Sequence, residues 1–289
     1  MKEKLSLKPE TRSGFKVTTE RKKLWATQLD LLEKFIAVCE KYNLKYSLCG
    51  GSLLGAIRHN GYIPWDDDID VMMLRDDYEK LCKIADKEFK KPYFFATSFN
   101  DTKFIPHAQL KNLNTTAIDH SDDEIEYNKC IFIDIFVFDR IPTLKILQKI
   151  QKTRLAIRRK YFNSYYFADI KSDKMSGKIF RAFIRFTRKF GSFDKKYEKY
   201  RKIARKYNNS KSDLISNPEF VMHYEKDMTK YSYYEDLVDH KFEYLTVKVP
   251  REYDVILSTL YGDYMKPVKG TQIHNLGTID TEKPYKRKN

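Results

Sequence analysis

Cysteine is scarce in this 289-residue chain, and its four copies (Cys39, Cys49, Cys82, Cys130) lie far apart. No pair has the spacing of zinc ligands, which argues against a structural zinc site. Cys39 and Cys49 sit among apolar neighbours and read as small core residues, so reduced thiols and a cytosolic setting are expected. Long apolar runs are also missing. None approaches the ~18 residues that a membrane span needs. The opening MKEKLSLKPETRSGFK is charged and lacks an apolar h-region, so it does not read as a signal peptide. There is no internal repeat, no low-complexity tract and no nucleic-acid-binding motif. These absences leave a soluble or membrane-peripheral protein as the expectation.

What remains is enough for a large core. Hydrophobic residues make up 42% of the chain, which makes wholesale disorder untenable, and the length suits one large domain or one domain with a sizeable insertion. The net charge of +15 is concentrated in one place. Between Ile141 and Lys211 there are 22 Lys/Arg against four acids, while the rest of the chain is slightly acidic. The basic character belongs to one segment and needs its own explanation.

The most informative stretch runs from Tyr46 to Leu74: YSLCGGSLLGAIRHNGYIPWDDDIDVMML. It places Gly50-Gly51-Ser52 just ahead of Asp66, Asp67, Asp68 and Asp70. On an extended strand Asp66, Asp68 and Asp70 share one face, where like charges repel unless a divalent cation joins them. The Gly-Gly-Ser turn offers backbone N–H groups that can approach a phosphate, with Ser52 capping a helix from Leu53 to Arg58. Metal-bridged phosphate chemistry is the first expectation.

The remaining elements follow from periodicity. A polar lead-in precedes an amphipathic helix over Glu20–Tyr42, with Trp25, Leu29, Leu32, Ile36 and Cys39 on one face. Lys45–Cys49 reads as a buried strand. The acidic strand continues to Leu74, and Asp76 caps a helix to about Lys90. Two short strands are predicted at Tyr93–Thr97 and Ala108–Leu113, then an exposed acidic loop over Asp119–Asn128. IFIDIFVFD (Ile131–Asp139) has the look of a central strand with Asp134 in its middle. A carboxylate there is costly unless it is paired, bonded to backbone donors or bound to a cation. Helices follow at Thr143–Tyr161, Lys178–Phe190 and Asp194–Tyr207, then a strand at Tyr244–Val249, a helix at Arg251–Tyr261 and a polar, basic tail.

The stretch GGSLLGAIRHNGYIPWDDDIDVMML, followed in order by IFIDIFVFD and LYGDYMKP (Leu260–Pro267), resembles the signature of the LicD family, whose core is similar to that of fukutin-related proteins. The resemblance implies an α+β fold: a nucleotidyltransferase, polymerase-beta palm-like mixed sheet flanked by helices, here with a basic helical insertion. It divides the chain into a catalytic core over 20–140, an insertion over 141–211, a C-terminal part of the domain over 212–270, and tails at 1–19 and 271–289. It implies a phosphotransferase that moves phosphocholine, or a similar group, from a CDP-linked donor to a glycan such as teichoic acid, lipopolysaccharide or capsule. Asp68, Asp70 and Asp134 match the family's carboxylates and would hold Mg²⁺ or Mn²⁺. Gly50, Gly51 and Ser52 would seat a phosphate, and Asp70 or Asp134 would take the acceptor's proton.

Supporting residues have two readings each. Arg58 could grip a phosphate or pair with an Asp. His59 suits a helix C-terminus better than catalysis. Trp65 could stack on a base or choline headgroup, or pack beside Pro64. Asp66 and Asp67 would orient the loop or a metal-bound water. His107 and Lys111 are candidate phosphate contacts. In the basic segment, Ile179, Phe183, Phe186 and Phe190 share one face of a helix and Lys178, Arg181, Arg185 and Arg188 another. That pattern suits a solvated insertion, packing on the protein's own core, or an anionic membrane surface at the inner face of the cell membrane. Nucleic acid is disfavoured. Two other functions compete: transfer of NMP from an NTP to a small molecule, RNA or protein, and a non-catalytic membrane- or glycan-binding role.

Overall fold

The computed structural model describes residues 5–119, 126–166, 168–169, 175–268 and 276–286. In chain order, a small hairpin of β1 (Glu10–Arg12) and β2 (Phe15–Val17) leads into α1 (Thr19–Lys41), β3 (Ser47–Leu48) and α2 (Gly50–His59). Next come β4 (Asp70–Leu74), α3 (Arg75–Glu88), β5 (Tyr93–Ala96), β6 (Ala108–Asn112), β7 (Thr116–Asp119) and β8 (Phe132–Arg140). Three helices follow: α4 (Lys145–Asn163), α5 (Met175–Arg188) and α6 (Phe193–Ala204). The chain closes with β9 (Leu214–Ser216), β10 (Thr229–Lys230), β11 (Leu237–Phe242), β12 (Leu245–Pro250), α7 (Tyr253–Tyr261) and β13 (Leu276–Asp280). This is an α+β architecture with a mixed sheet and, among the described residues, seven α-helices.

Strand β8 is the axis of a seven-stranded sheet. On one side it runs parallel to β4, which pairs antiparallel with β3. Its other edge pairs with β6 along its first half and β9 at its end, both antiparallel; β5 extends β6 and β10 extends β9. The β4–β8 register sets Asp70 directly beside Asp134. Two carboxylates separated by the whole acidic loop in sequence therefore become cross-strand neighbours.

Helix α1 covers the sheet because its apolar residues recur at helical spacing: Trp25, Leu29 and Leu32 are fully buried, and Ile36 and Cys39 nearly so. Its polar side chains do further work. Arg21 and the Trp25 indole donate to the Asp66 carbonyl at 2.7 and 3.0 Å, and Gln28 donates to the Asp67 carbonyl at 2.7 Å. The helix thus satisfies the backbone of the acidic loop and fixes its course.

Several local expectations change. Gly50, Gly51 and Ser52 form the first turn of α2, not a turn ahead of it, and Ser52 does not cap it. Instead the Ser52 hydroxyl accepts from the Asp70 amide at 2.9 Å. Regular strand pairing starts at Asp70, so Asp66–Ile69 lead into the strand without belonging to it. Burial nevertheless alternates as expected: Asp66, Asp68 and Asp70 are half-buried, while Asp67, Ile69 and Val71 are buried. The buried strand predicted at Lys45–Cys49 shrinks to Ser47–Leu48, and α3 starts at Arg75 with Leu74 as its N-cap in place of Asp76. The polar lead-in folds as the β1–β2 hairpin, pinned where Arg12 pairs with Glu243. Part of the basic tail pairs as β13 with β7. Most of the predicted acidic loop, residues 120–125, lies outside the described residues.

Helices α4 and α6 share an apolar cluster of their own, built on Leu155, Phe162, Tyr197 and Tyr200, with Val221 and Phe104 packed against them. Gln151 of α4 donates to the Ile203 and Ala204 carbonyls at the end of α6 and locks the two helices together.

Candidate active site

A cavity of about 760 Å³ opens beside the start of β4 and along β8. Asp66, Asp68, Asp70 and Asp134 line one part of it, together with Gly50 and Gly51 from the start of α2. Aromatic side chains line much of the rest: Trp65, Phe136, Phe220, Tyr233, Tyr261 and Tyr264. All three sequence pieces singled out above contribute, since Leu260, Tyr261, Asp263, Tyr264 and Lys266 of LYGDYMKP also reach it.

The N-terminus of α2 faces the acids closely. A Cβ at Gly51 would stand 2.9 Å from Asp66 Oδ2, and one at Gly50 3.4 Å from Asp70 Oδ2. Gly50 has φ +54°, so the demand for glycine there is on the backbone, whereas at Gly51 it is steric. Helix N-terminal amides favour negative charge, and the Asp66 and Asp70 carboxylates lie close to this helix start.

Asp70 feels mostly charges of its own sign. Burial first, then the charges of Asp68, Asp134, Asp66 and Asp227, push its carboxyl well above the ordinary range. Asp134 accepts from His107 Nε2 at 2.7 Å and from the Gln109 amide at 2.9 Å, both on Oδ1. The other ring nitrogen of His107 has no hydrogen-bond partner among the described residues. Among those residues, the three carboxylates whose oxygens come within 4.8 Å of one another are Asp66, Asp67 and Asp68. Cys49 lines the cavity too, but burial and the Asp70 charge hold its thiol protonated, which removes it as a nucleophile.

The other candidates divide. Arg58 lines the cavity, yet its guanidinium donates to the Tyr264 carbonyl at 2.7 Å and to His59 at 2.9 Å. It anchors the LYGDYMKP segment to α2. Burial and the charge of Arg58 lower the His59 pKa to about 4, so the ring stays neutral. Trp65 is buried with its ring edge-on to Phe15, as packing requires, and it also lines the cavity. Lys111 leaves the group. It lies on β6 beyond Gln109, and its buried ammonium is held by Asp101 at 2.9 Å and the Asn128 carbonyl at 3.0 Å. It shares a sheet face with Gln109, but an acid from the preceding loop claims it.

Sequence reasoning passed over Asp227, Gln109 and the rings of Phe220, Tyr233, Tyr261 and Tyr264. Burial raises Asp227 to about 7, and it faces the same cavity. It sits in YEKDMTK, which has no pattern to single it out. The LYGDYMKP segment did carry a signal for Tyr261 and Tyr264.

A family model described as LicD/FKTN/FKRP, nucleotidyltransferase domain, matches residues 43–182. Residues 43–182 therefore carry a LicD-type domain. That match takes in Gly50, Gly51, Asp68, Asp70, His107 and Asp134, so every carboxylate of the β4–β8 pair falls inside it. The lipopolysaccharide cholinephosphotransferase LicD of Haemophilus influenzae is 29% identical over 244 residues, which cover 82% of this chain and 88% of that protein. An uncharacterised protein of Rickettsia prowazekii is 32% identical over 103 residues, 35% of each chain. The alignment with the Haemophilus LicD is long enough to take in most of the chain, not the acidic motif alone.

Proposed function

We propose that this chain is a phosphotransferase of the LicD type. It moves a phosphocholine-like group from a nucleotide-linked donor, CDP-choline in the simplest case, to a sugar hydroxyl of lipopolysaccharide or a related cell-surface glycan. The observation that carries this reading is one cavity lined by both carboxylates and aromatic rings, in a chain aligned along most of a lipopolysaccharide cholinephosphotransferase. We read the mixed sheet as a nucleotidyltransferase-type core, in keeping with the family model's description.

In kind the donors suit a hard divalent cation, but a side-chain shift would have to gather them, since among the described residues the carboxylates already within 4.8 Å of one another are Asp66, Asp67 and Asp68. Asp68, Asp70 and Asp134 offer only oxygen ligands, and Asp70 is buried among like charges that such an ion would relieve. These three would hold Mg²⁺ or Mn²⁺, which when bound supplies neutralisation of the charge on a diphosphate. Gly50 and Gly51 keep the start of α2 free of side chains, but Asp66 and Asp70 oxygens stand close to it, so a phosphate oxygen would have to share or displace them to reach the helix amides. His107 and Gln109 fix the orientation of Asp134. Trp65, Tyr233, Tyr261 and Tyr264 offer ring faces of the kind that receive a quaternary ammonium group. The acceptor hydroxyl oxygen forms a bond to phosphorus, the bond from phosphorus to the nucleotide's oxygen breaks, and CMP leaves. The hydroxyl proton passes to Asp70 or Asp134. Most of the rate gain comes from alignment and charge, as in other phosphoryl transfers.

The test is product identity. Purified protein incubated with CDP-choline, lipopolysaccharide and Mg²⁺ should release CMP and label the glycan, and EDTA should stop it. Release of pyrophosphate from CTP or ATP, with no CMP from CDP-choline, would overturn the proposal in favour of nucleotidyl transfer.

A further inference from the structure

We propose that α5 docks the protein onto an anionic lipid bilayer, lying in the plane of the interface. Ile179, Phe183, Phe186 and Phe190 form one row along this helix and just past its end, and they are 65%, 55%, 59% and 63% exposed. The rings of Phe186 and Phe190 touch each other at 5.0 Å between centroids and cover no core. The helix meets the rest of the protein with a different face. Ile184 is fully buried there, and Thr187 bonds to the Tyr161 hydroxyl at 3.1 Å. Packing on the protein's own core therefore does not account for the aromatic row.

Exposed cations border that row: Lys178, Arg185 and Lys189 are all on the surface. The neighbouring helix repeats the pattern. On α4, Ile146, Ile150 and Ile157 are 63%, 47% and 66% exposed at positions that share one stripe, with Lys145, Lys149 and Arg154 exposed around them. A helix with an apolar row, a basic flank and almost no acids is suited to the headgroup layer of an anionic membrane. No helix among the described residues is long and apolar enough to cross a membrane, so the contact would be superficial.

Charge decides between occupants. A second copy of the chain would bring an equally basic surface against this one, with 22 Lys/Arg and four acids in each segment, and like charges would face each other. An anionic bilayer meets the same cations with the opposite sign. The surface lies outside the catalytic cavity, so this inference stands or falls separately from the proposed chemistry.

The experiment is flotation of the full chain with large unilamellar vesicles, either pure phosphatidylcholine or phosphatidylcholine with 30% phosphatidylglycerol. Strong binding is expected only to the anionic vesicles, weakening as salt is raised. Lys178→Glu with Lys189→Glu should lower partitioning by roughly tenfold or more. Phe183→Ser with Phe186→Ser should lower it similarly. These side chains are exposed, so unchanged thermal unfolding should accompany both losses. Equal binding to both vesicle types, or binding untouched by the Phe183→Ser/Phe186→Ser pair, would overturn the proposal. So would a dimer, seen by light scattering, that this pair of substitutions dissolves in protein that ignores vesicles.

Discussion

Strand β8 carries two carboxylates with opposite fates. At its end, Asp139 is buried and held by Arg75, which donates from Nε to Oδ1 at 2.8 Å and from Nη2 to Oδ2 at 2.5 Å. Asn208 adds a third bond at 2.6 Å, and Glu219 shares the same guanidinium at 2.6 Å. Burial alone would lower the Arg75 pKa, but Asp139 and Glu219 carry it well above its ordinary value. Near the strand's start, Asp134 lies beside Asp70 on the cavity wall, where the leading charges on Asp70 come from Asp68, Asp134, Asp66 and Asp227. One cluster brings its own cation and ties α3 to the strand. The other concentrates negative charge in a hollow. The contrast shows that a carboxylate in a strand motif says little alone; the sign of its neighbours separates a structural acid from a functional one.

The largest expected effect tests that separation directly. Arg75→Ala should destabilise the protein by about 3–5 kcal/mol, because it leaves Asp139 and Glu219 buried without their cation. Asp70→Asn should do the reverse in metal-free protein, keeping or raising the midpoint of urea unfolding while transfer activity disappears. If Asp70→Asn cost as much stability as Arg75→Ala, the two clusters would be of one kind and the functional reading of the cavity would fail.

Much of this contrast was open to sequence reasoning, but not all. The parity of Asp66, Asp68 and Asp70, the central strand with Asp134 in it and the three motif pieces all point to one site, because strand period and residue type are local properties. Partner choice is not local. Lys111 and Gln109 lie on the same sheet face, yet Asp101 takes the lysine and Asp134 the glutamine. Nothing local to Arg58 signals its hold on the Tyr264 carbonyl, a pairing across most of the chain. Asp227 has no motif and gains its place only when β9 and β10 join the sheet. The hairpin β1–β2 was missed because its strands are too short to show a period.

A smaller effect should follow from loosening Asp134 without removing it. His107→Gln takes away the bond to Asp134 Oδ1 but leaves Gln109 in place. A residue that orients a ligand typically costs 10–100-fold when lost, in metal affinity or in activity. The variant should therefore need more Mg²⁺ for half-maximal rate while its unfolding midpoint stays close to that of the parent. A rate loss that no amount of Mg²⁺ reduces would instead place His107 in direct contact with the reacting groups.

The smallest effect concerns Asp227, the cavity acid that no other argument requires. Burial raises its pKa to about 7, with Lys226 opposing the shift, and His223 Nδ1 lies 3.9 Å from its Oδ1. His223 is itself pushed towards neutrality by burial, Lys226 and Arg159, so it offers little compensating charge near pH 7. A folded value above the unfolded one means that the native state holds the proton longer. Stability must then fall as pH rises from about 4 to about 7 and level off above that. The gap bounds the effect at about 4 kcal/mol, and water in an open cavity should reduce it to roughly 1–2 kcal/mol. Asp227→Asn should erase this component. In metal-free protein its stability advantage over the parent should be absent at pH 4 and fully developed by pH 7.5, measured by urea unfolding at a series of pH values. An advantage that does not change with pH would mean that Asp227 is ionised throughout, and that the cavity solvates its acids better than their burial implies.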